Sequence, residues 1–430
     1  MALTGRTALL AALGAAVVGL IAPSLGALLA LNAVLLVLVL VDLALAADVR
    51  RLQLSRAGTT AVRLGETAVV TLTVANPGPR RLRATLRDAW EPSAGAQQER
   101  VSLDLAPHAQ QRLRTVLLPT RRGDRVAARV TVRAVGPLGL AARQAGHAAP
   151  WRVRVLAPFT SRRHLPARLA RLRELDGRAA VRTRGAGTEF DSLRDYVIGD
   201  DVRAIDWRAS ARRTAVVVRT WRPERDRRVL VVLDTGRASA GRVGDAPRLD
   251  AALDATLLLA ALAGRAGDRV DLLAYDRRVR TRVRGKVGAQ LLPALVEATA
   301  MLQPALLETD HAGLVRAVRA MGRHDLVVLL TGLDKVTVTE GLLPVLAPLT
   351  ARSRVLLATV ADPRVTAMAA LRADAEQVYA AAAASREQLE RRWTTALLRR
   401  AGVSVLEAEP ERIAPELADA YLELKAAGRL

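Results

Sequence analysis

The chain contains no cysteine and only five histidines in 430 residues. The first absence excludes disulfides, thiol nucleophiles, iron–sulfur clusters and every cysteine-ligated zinc site. The second leaves His108, His147, His164, His311 and His324 scattered, without the His-Glu-x-x-His spacing of a helical zinc site, so a metal here needs oxygen ligands. Aromatic residues make up 3%, too few for the stacking platforms of single-strand nucleic-acid binders. Lysine is almost missing as well. Lys286, Lys335 and Lys425 stand beside a net charge of +23 that is otherwise carried by arginine. That charge invites nucleic acid, but the arginines are spread along the whole chain, and a surface beside anionic lipid is a simpler use for them. With 51% hydrophobic and 25% charged residues the chain is neither disordered nor collagen-like, and its length predicts two or three folded units.

No charge occurs over residues 7–41, and a single turn signal, Pro23-Ser24-Leu25-Gly26, divides that run. Each half sits near the lower limit for a spanning helix, so residues 1–48 are predicted to form a transmembrane helical hairpin. Arg6 precedes the run and Arg50, Arg51, Arg56 and Arg63 follow it, which places both ends and the bulk of the chain in the cytoplasm, at the inner membrane. A signal peptide fits less well, since its basic region is one arginine and a second apolar run follows at once. A single signal-anchor leaves the arginine flank outside. Asp42 is placed at the membrane interface and Asp48 beyond it, neither needing a functional explanation.

Residues 49–160 predict an all-β sandwich. The segments 67–74, 112–118, 126–135 and 152–156 are rich in β-formers between turns such as Asn76-Pro77-Gly78-Pro79 and Pro137-Leu138-Gly139. Residues 161–225 are a charged segment in which Arg203, Arg208 and Arg212 are expected to fork onto Asp200, Asp201 and Asp206 over the rings of Tyr196 and Trp207. The choice there is between a structural ion-pair knot and a partner-docking surface. Gly185-Ala186-Gly187 lacks the lysine of a phosphate loop.

From 226 to 430 strands without alternation, 228–233, 269–275, 326–330 and 354–360, are separated by helices at 249–263, 291–302, 314–321 and 342–349. Residues 402–406 offer a last edge strand before a terminal helix at 415–427. This is the pattern of a doubly wound α/β sheet covered on both faces. Ligands of such sheets sit at the carboxyl ends of the strands, where Asp234, Thr331 and Asp362 fall.

The run Gly187-Thr188-Glu189-Phe190, Ser192-Leu193-Arg194, Tyr196, Gly199-Asp200-Asp201, Arg203, Ile205-Asp206-Trp207 and Ser210-Ala211-Arg212 resembles the signature of the family called domain of unknown function fifty-eight. The resemblance implies a bacterial membrane protein with a von Willebrand factor A-like α/β domain, associated with MoxR-type AAA+ ATPases and without enzymatic activity. Von Willebrand factor A domains hold a divalent ion through Asp-x-Ser-x-Ser and later Thr and Asp residues. Here Asp234-Thr235-Gly236-Arg237-Ala238 lacks both hydroxyls, leaving Asp234, Ser239, Thr309 and Asp334 as a degenerate Mg²⁺ site at most. The expectation is a non-enzymatic scaffold or adaptor whose partners are the membrane and the ATPase, with no nucleic acid and no small-molecule substrate. The competing classes are a metal-dependent hydrolase using Asp200, Asp201 and Asp234, and a basic nucleic-acid binder.

Overall fold

Residues 7–41 carry no charge, and the chain there forms two helices. The structure, a computed structural model, describes residues 2–21, 23–182, 189–198, 200–212, 215–222, 227–428 and 430. A two-residue strand, β1 (Ala2–Leu3), leads into α1 (Gly5–Ile21), and α2 spans Leu25–Leu45. The Ser24 hydroxyl caps α2 by accepting from the Ala27 amide at 3.2 Å. Gly14 of α1 lies against Leu31, where a β-carbon would strike the leucine methyls, so the two helices run side by side. α2 is long and apolar enough to cross a membrane, while α1 has 17 residues.

Asp42 is not the solvated interface residue that the sequence suggests. It is fully buried, and its carboxylate accepts backbone N–H groups from Leu138 at 2.7 Å, Leu140 at 2.7 Å and Ala141 at 2.8 Å. Gly136 is needed at this turn, because a β-carbon there would lie 2.3 Å from Asp42 Oδ1. Thr4 donates its hydroxyl to the Gly139 carbonyl at 2.6 Å, and Thr7 donates to the Leu140 carbonyl. The first turn of α1 and the last turn of α2 are therefore fastened to one loop of the β-domain.

That domain contains β2 (Gln53–Gly58), β3 (Ala61–Arg63), β4 (Ala68–Ala75), β5 (Leu82–Trp90), β6 (Arg100–Leu105), β7 (Gln110–Leu117), β8 (Gly123–Val135), β9 (Ala141–His147) and β10 (Arg152–Leu156). One sheet is β2-β4-β7; the other is β1-β9-β8-β10-β3, with β5 joined to β8 and β6 to β5. The alternation Leu82, Ala84, Leu86 on β5 and Val70, Leu72, Val74 on β4 sends one face of each sheet inward. Leu72, Val74 and Leu113 meet Leu86, Leu103 and Val132 in a shared core, which makes the predicted sandwich. Asn76 forms the expected turn: its side-chain oxygen accepts from Gly78 N, and its amide donates to Arg80 O at 2.8 Å. A buried ion pair between Arg56 of β2 and Asp88 of β5, 2.5 Å apart, is completed by Trp90 Nε1 donating to the same carboxylate.

The described residues divide into two compact units, Met1–Leu156 and Ala157–Leu430, so the apolar helices belong with the sandwich and the charged segment with the α/β domain. The second unit opens with Thr160 and Ser161, whose hydroxyls bind the Asp254 carboxylate at 2.8 and 2.9 Å. It continues through α3 (Leu165–Arg182), β11 (Glu189–Asp195), the one-turn helix α4 (Trp207–Ser210) and β12 (Val217–Arg222), β11 and β12 forming an antiparallel pair. Next come β13 (Arg228–Asp234), α5 (Arg237–Ala240), the small ribbon β14 (Arg242–Val243) with β15 (Ala246–Pro247), α6 (Arg248–Arg265), β16 (Arg269–Tyr275) and β17 (Val279–Val283). The chain ends with α7 (Leu291–Ala300), α8 (His311–Ala320), β18 (Leu326–Leu330), α9 (Ala347–Thr350), β19 (Arg354–Val360), α10 (Pro363–Ala369), α11 (Ala375–Arg400), β20 (Val403–Ala408) and α12 (Ile413–Ala426).

Six strands pair in the order β17-β16-β13-β18-β19-β20, parallel except for β17 at one edge. β13 is buried at every position after Arg228, as a strand covered on both faces must be. The helix expected over 342–349 is instead broken into a π turn, a 3₁₀ turn and α9, because Pro344 and Pro348 each lack the amide a continuous helix needs.

Asp42→Asn removes the charge that three backbone amides share. It is expected to cost about 3 kcal/mol locally, seen as roughly hundredfold faster hydrogen exchange at amides 138, 140 and 141.

Candidate functional site

Two polar constellations fall where the sequence places function, both in the second unit. In the charged segment the expected pairing is replaced. Asp200 is held by Arg194 at 2.5 Å and by the Val197 amide at 2.9 Å, and Asp206 by Arg219 at 2.8 Å. Arg203, Arg208 and Arg212 reach none of these carboxylates with their guanidinium groups; the Arg203 amide caps onto Asp201 at 2.9 Å, and the Arg208 amide donates to Asp206 at 3.1 Å. The reason is local. Asp201 and Asp206 sit at N-cap positions, where a short carboxylate accepts from the backbone amides that follow it, and the second oxygen of Asp206 is taken by Arg219. Gly199 lies outside the described residues.

Asp206 also accepts from Ala209 N at 2.9 Å, and Ser210 Oγ donates to the Asp206 carbonyl while accepting from Val217 N. These bonds pin α4 against β12. They aim Trp207 outward: the indole is 68% exposed instead of lying under the arginines. Val197, Ile198 and Val202 are exposed beside it in the chain, and Tyr196 is half-buried. The Arg194 hydrogen bond holds the Asp200 carboxyl below its ordinary pKa, and the Ala209 amide, followed by Arg219, does the same for Asp206. Both carboxylates are ionised at neutral pH. Arg219 carries half of this site and is invisible in the signature, since only the β11–β12 register brings it back.

The second constellation is at the carboxyl end of β13. Asp234 is buried, with Oδ1 accepting from Gly236 N at 2.8 Å and Thr309 Oγ1 at 2.6 Å, and Oδ2 accepting from Thr331 Oγ1 at 2.5 Å. Thr309 is thus beside Asp234 as expected, and Thr331 joins it. Ser239 is buried on α5, and Asp334 packs toward Gly332. Arg237 turns away to Glu308 at 3.0 Å.

These residues do not fit a Mg²⁺ or Ca²⁺ cage, which takes six or more oxygens. A β-carbon on Gly236 would land 2.2 Å from the Thr309 hydroxyl, so no serine fits there while Thr309 holds Asp234. Both Asp234 oxygens already accept hydrogen bonds. Among the described residues no group of three or more His, Asp or Glu side chains gathers around one point.

His311, at the start of α8, is the residue that sequence reasoning passed over. It is buried, its Nε2 has no partner among the described residues, and a β-carbon on Gly341 would press on its ring. Burial lowers its pKa, outweighing the raising effect of Asp234, Asp310 and Glu308.

The fold is that of a multidomain chain with an apolar helix, a β-rich region and an α/β domain on a mostly parallel sheet. Residues 192–399 match the family described as "Protein of unknown function DUF58", and a domain of that family is present there. Similar proteins include Uncharacterized protein Mb1516 of Mycobacterium bovis and Uncharacterized protein Rv1480 of Mycobacterium tuberculosis, each 28% identical over 187 residues. The aligned stretch covers 42% of this chain and 57% of theirs. Among solved structures, the CARDB domain of the PF1109 protein from Pyrococcus furiosus is 18% identical, covers 24% of this chain and 86% of its own, and has a TM-score of 0.19. Native E. coli alpha-2-macroglobulin is 14% identical, covers 25% of this chain and 7% of its own, and has a TM-score of 0.20. At these scores the likenesses carry no argument.

The His311 environment sets a pH dependence. An unfolded His311 takes up its proton near 6.5, whereas the folded one resists until a lower pH, so the unfolded state binds more protons in between and stability falls as pH drops below 6.5. The urea midpoint of the α/β unit is expected to be lower at about pH 5.5 than at about pH 7.5, with part of the difference lost in His311→Gln.

Proposed function

We propose that the chain is a non-enzymatic, membrane-anchored scaffold whose charged segment docks a MoxR-type AAA+ ATPase at the cytoplasmic face of the inner membrane. In this reading α1 and α2 form a transmembrane hairpin, the sandwich is a spacer, and the second unit is a von Willebrand factor A-like domain that has given up its ion.

One observation carries the docking reading: Trp207 stands 68% exposed on a helical turn that is fixed at its base by Asp206, Arg219 and Ser210. A large aromatic held rigidly in water loses little freedom on binding, and Trp and Arg are the types that dominate interface energetics. Ile198, 97% exposed, and Val202 are apolar and exposed in the same segment as Arg203 and Arg208. The partner surface such a patch fits is apolar at its centre with acidic groups around it.

The α/β reading is supported by the sheet order and by Asp234 at the carboxyl end of a central strand, with Thr309 and Thr331 on its oxygens. Those hydroxyl contacts are what an aspartate makes once the ion ligands around it have become Gly236 and Ala238.

Crosslinked capture of the full-length chain from its native membrane, with and without ATP, tests the reading. The expected result is enrichment of a MoxR-type ATPase that falls at least about tenfold in Trp207→Ala while the circular dichroism melt is unchanged. Capture that is equal for parent and variant removes the docking site, and absence of the ATPase under both conditions removes the partner.

A further inference from the structure

The loop that holds Asp42 also exposes a surface. Arg80 donates from Nη1 to the Ala44 carbonyl at 2.7 Å, at the end of α2, and Arg133 donates from Nη2 to the Leu3 carbonyl at 3.4 Å, just before α1. The Arg6 guanidinium lies over Gly139. Three guanidinium groups are thus set around the two helix ends, and Arg6 and Arg80 are exposed.

The same end of the domain carries apolar side chains left in water: Leu3 is 64% exposed, Leu138 46% and Val135 42%. The β1–β9–β8 ladder brings Leu3 and Val135 to one end of the sheet, on opposite faces of it, since Val135 and Ala2 both lie opposite Ala142 and Leu3 lies opposite Ala141; Leu138 is in the Asp42 loop itself. Acidic groups here are already taken: Asp42 is buried under its three amides, and Asp48 accepts from Arg50 N and pairs with Arg51.

We infer that this end of the sandwich, where Leu3, Val135 and Leu138 are exposed and Arg6, Arg80 and Arg133 sit at the helix ends, enters the headgroup layer of an anionic membrane. The inference rests on the proposal that α1 and α2 span the bilayer. Four observations meet in it. The apolar tips are continuous with the apolar helices. The arginines lie at the depth of the helix ends, where phosphate groups lie, and carry the sign that anionic lipid attracts. The Asp42 clamp leaves the loop no room to tilt away. An amphipathic surface with basic residues around apolar tips is also the pattern that lies within an interface rather than above it.

The absence of cysteine makes the test direct. Single cysteines at Leu36 on α2 and at Leu138, each in the full-length chain, are spin-labelled in phosphatidylglycerol and in phosphatidylcholine nanodiscs, and immersion is read from the balance of oxygen against aqueous nickel collisions. The label at 36 is expected deep in both lipids, and the label at 138 at headgroup depth in phosphatidylglycerol. In phosphatidylcholine, and in R6Q/R80Q/R133Q, the immersed population at 138 is expected to fall at least about tenfold, while R6K/R80K/R133K retains it. A label at 136–140 in water beside a buried label at 36 overturns the inference alone. Water at both positions overturns the membrane reading beneath it. Equal immersion at 138 in the glutamine and lysine variants overturns the role of the arginines.

Discussion

One carboxylate settles the architecture of the first unit. Three amides of a single turn converge on Asp42, and a buried aspartate with all its neighbours donating is stable only while that geometry persists. Helix α2 cannot rotate without stranding the charge, and β9 cannot shift register without withdrawing Ala141 from it. The hydroxyls of Thr4 and Thr7 extend the same fastening to α1. What would otherwise be two loosely tethered apolar helices becomes a rigid stem continuous with the β-sheet.

Aspartate does similar work elsewhere. Asp88 accepts from Arg56 and Trp90 between the two sheets, Asp254 holds Thr160 and Ser161 at the start of the second unit, and Asp206 ties α4 to β12 through Arg219. Asp234 belongs to this series. Thr309 and Thr331 donate to its two oxygens at the carboxyl end of the strand, the edge where ligands of open α/β sheets sit. In the charged segment of the second unit Trp207 and Ile198 face solvent.

The sheets were legible wherever burial is one-dimensional along the chain. The strands Arg269–Tyr275, Leu326–Leu330 and Arg152–Leu156 have the predicted bounds because apolar runs and alternation are local signals. β5 was missed although Leu82, Ala84, Leu86 and Trp90 alternate with arginines on its outer face, since charge-rich strands resemble loops in composition. The proline breaks at 344 and 348 were in plain view and were overruled by the apolar pattern. What no local pattern contains is pairing across sequence distance. Asp206 finds Arg219 because β11 and β12 pair, and Asp42 finds residues 138–141 because a sandwich closes between them. Thr309 was placed beside Asp234 by resemblance, whereas nothing in the sequence marked His311 as buried.

The Asp42 clamp also imposes an order on biosynthesis. Its partners are 96 to 99 residues downstream, so when α2 leaves the ribosome the carboxylate has nothing to bind, and a charge without partners resists entry into hydrocarbon. Under the proposal that α2 spans a membrane, Asp42 acts as a depth stop during insertion, holding the end of α2 at the water boundary. It becomes a buried joint only when β8 and β9 have been made and the loop between them closes over it. In that proposal the same residue sets the position of the stem first and locks it afterwards.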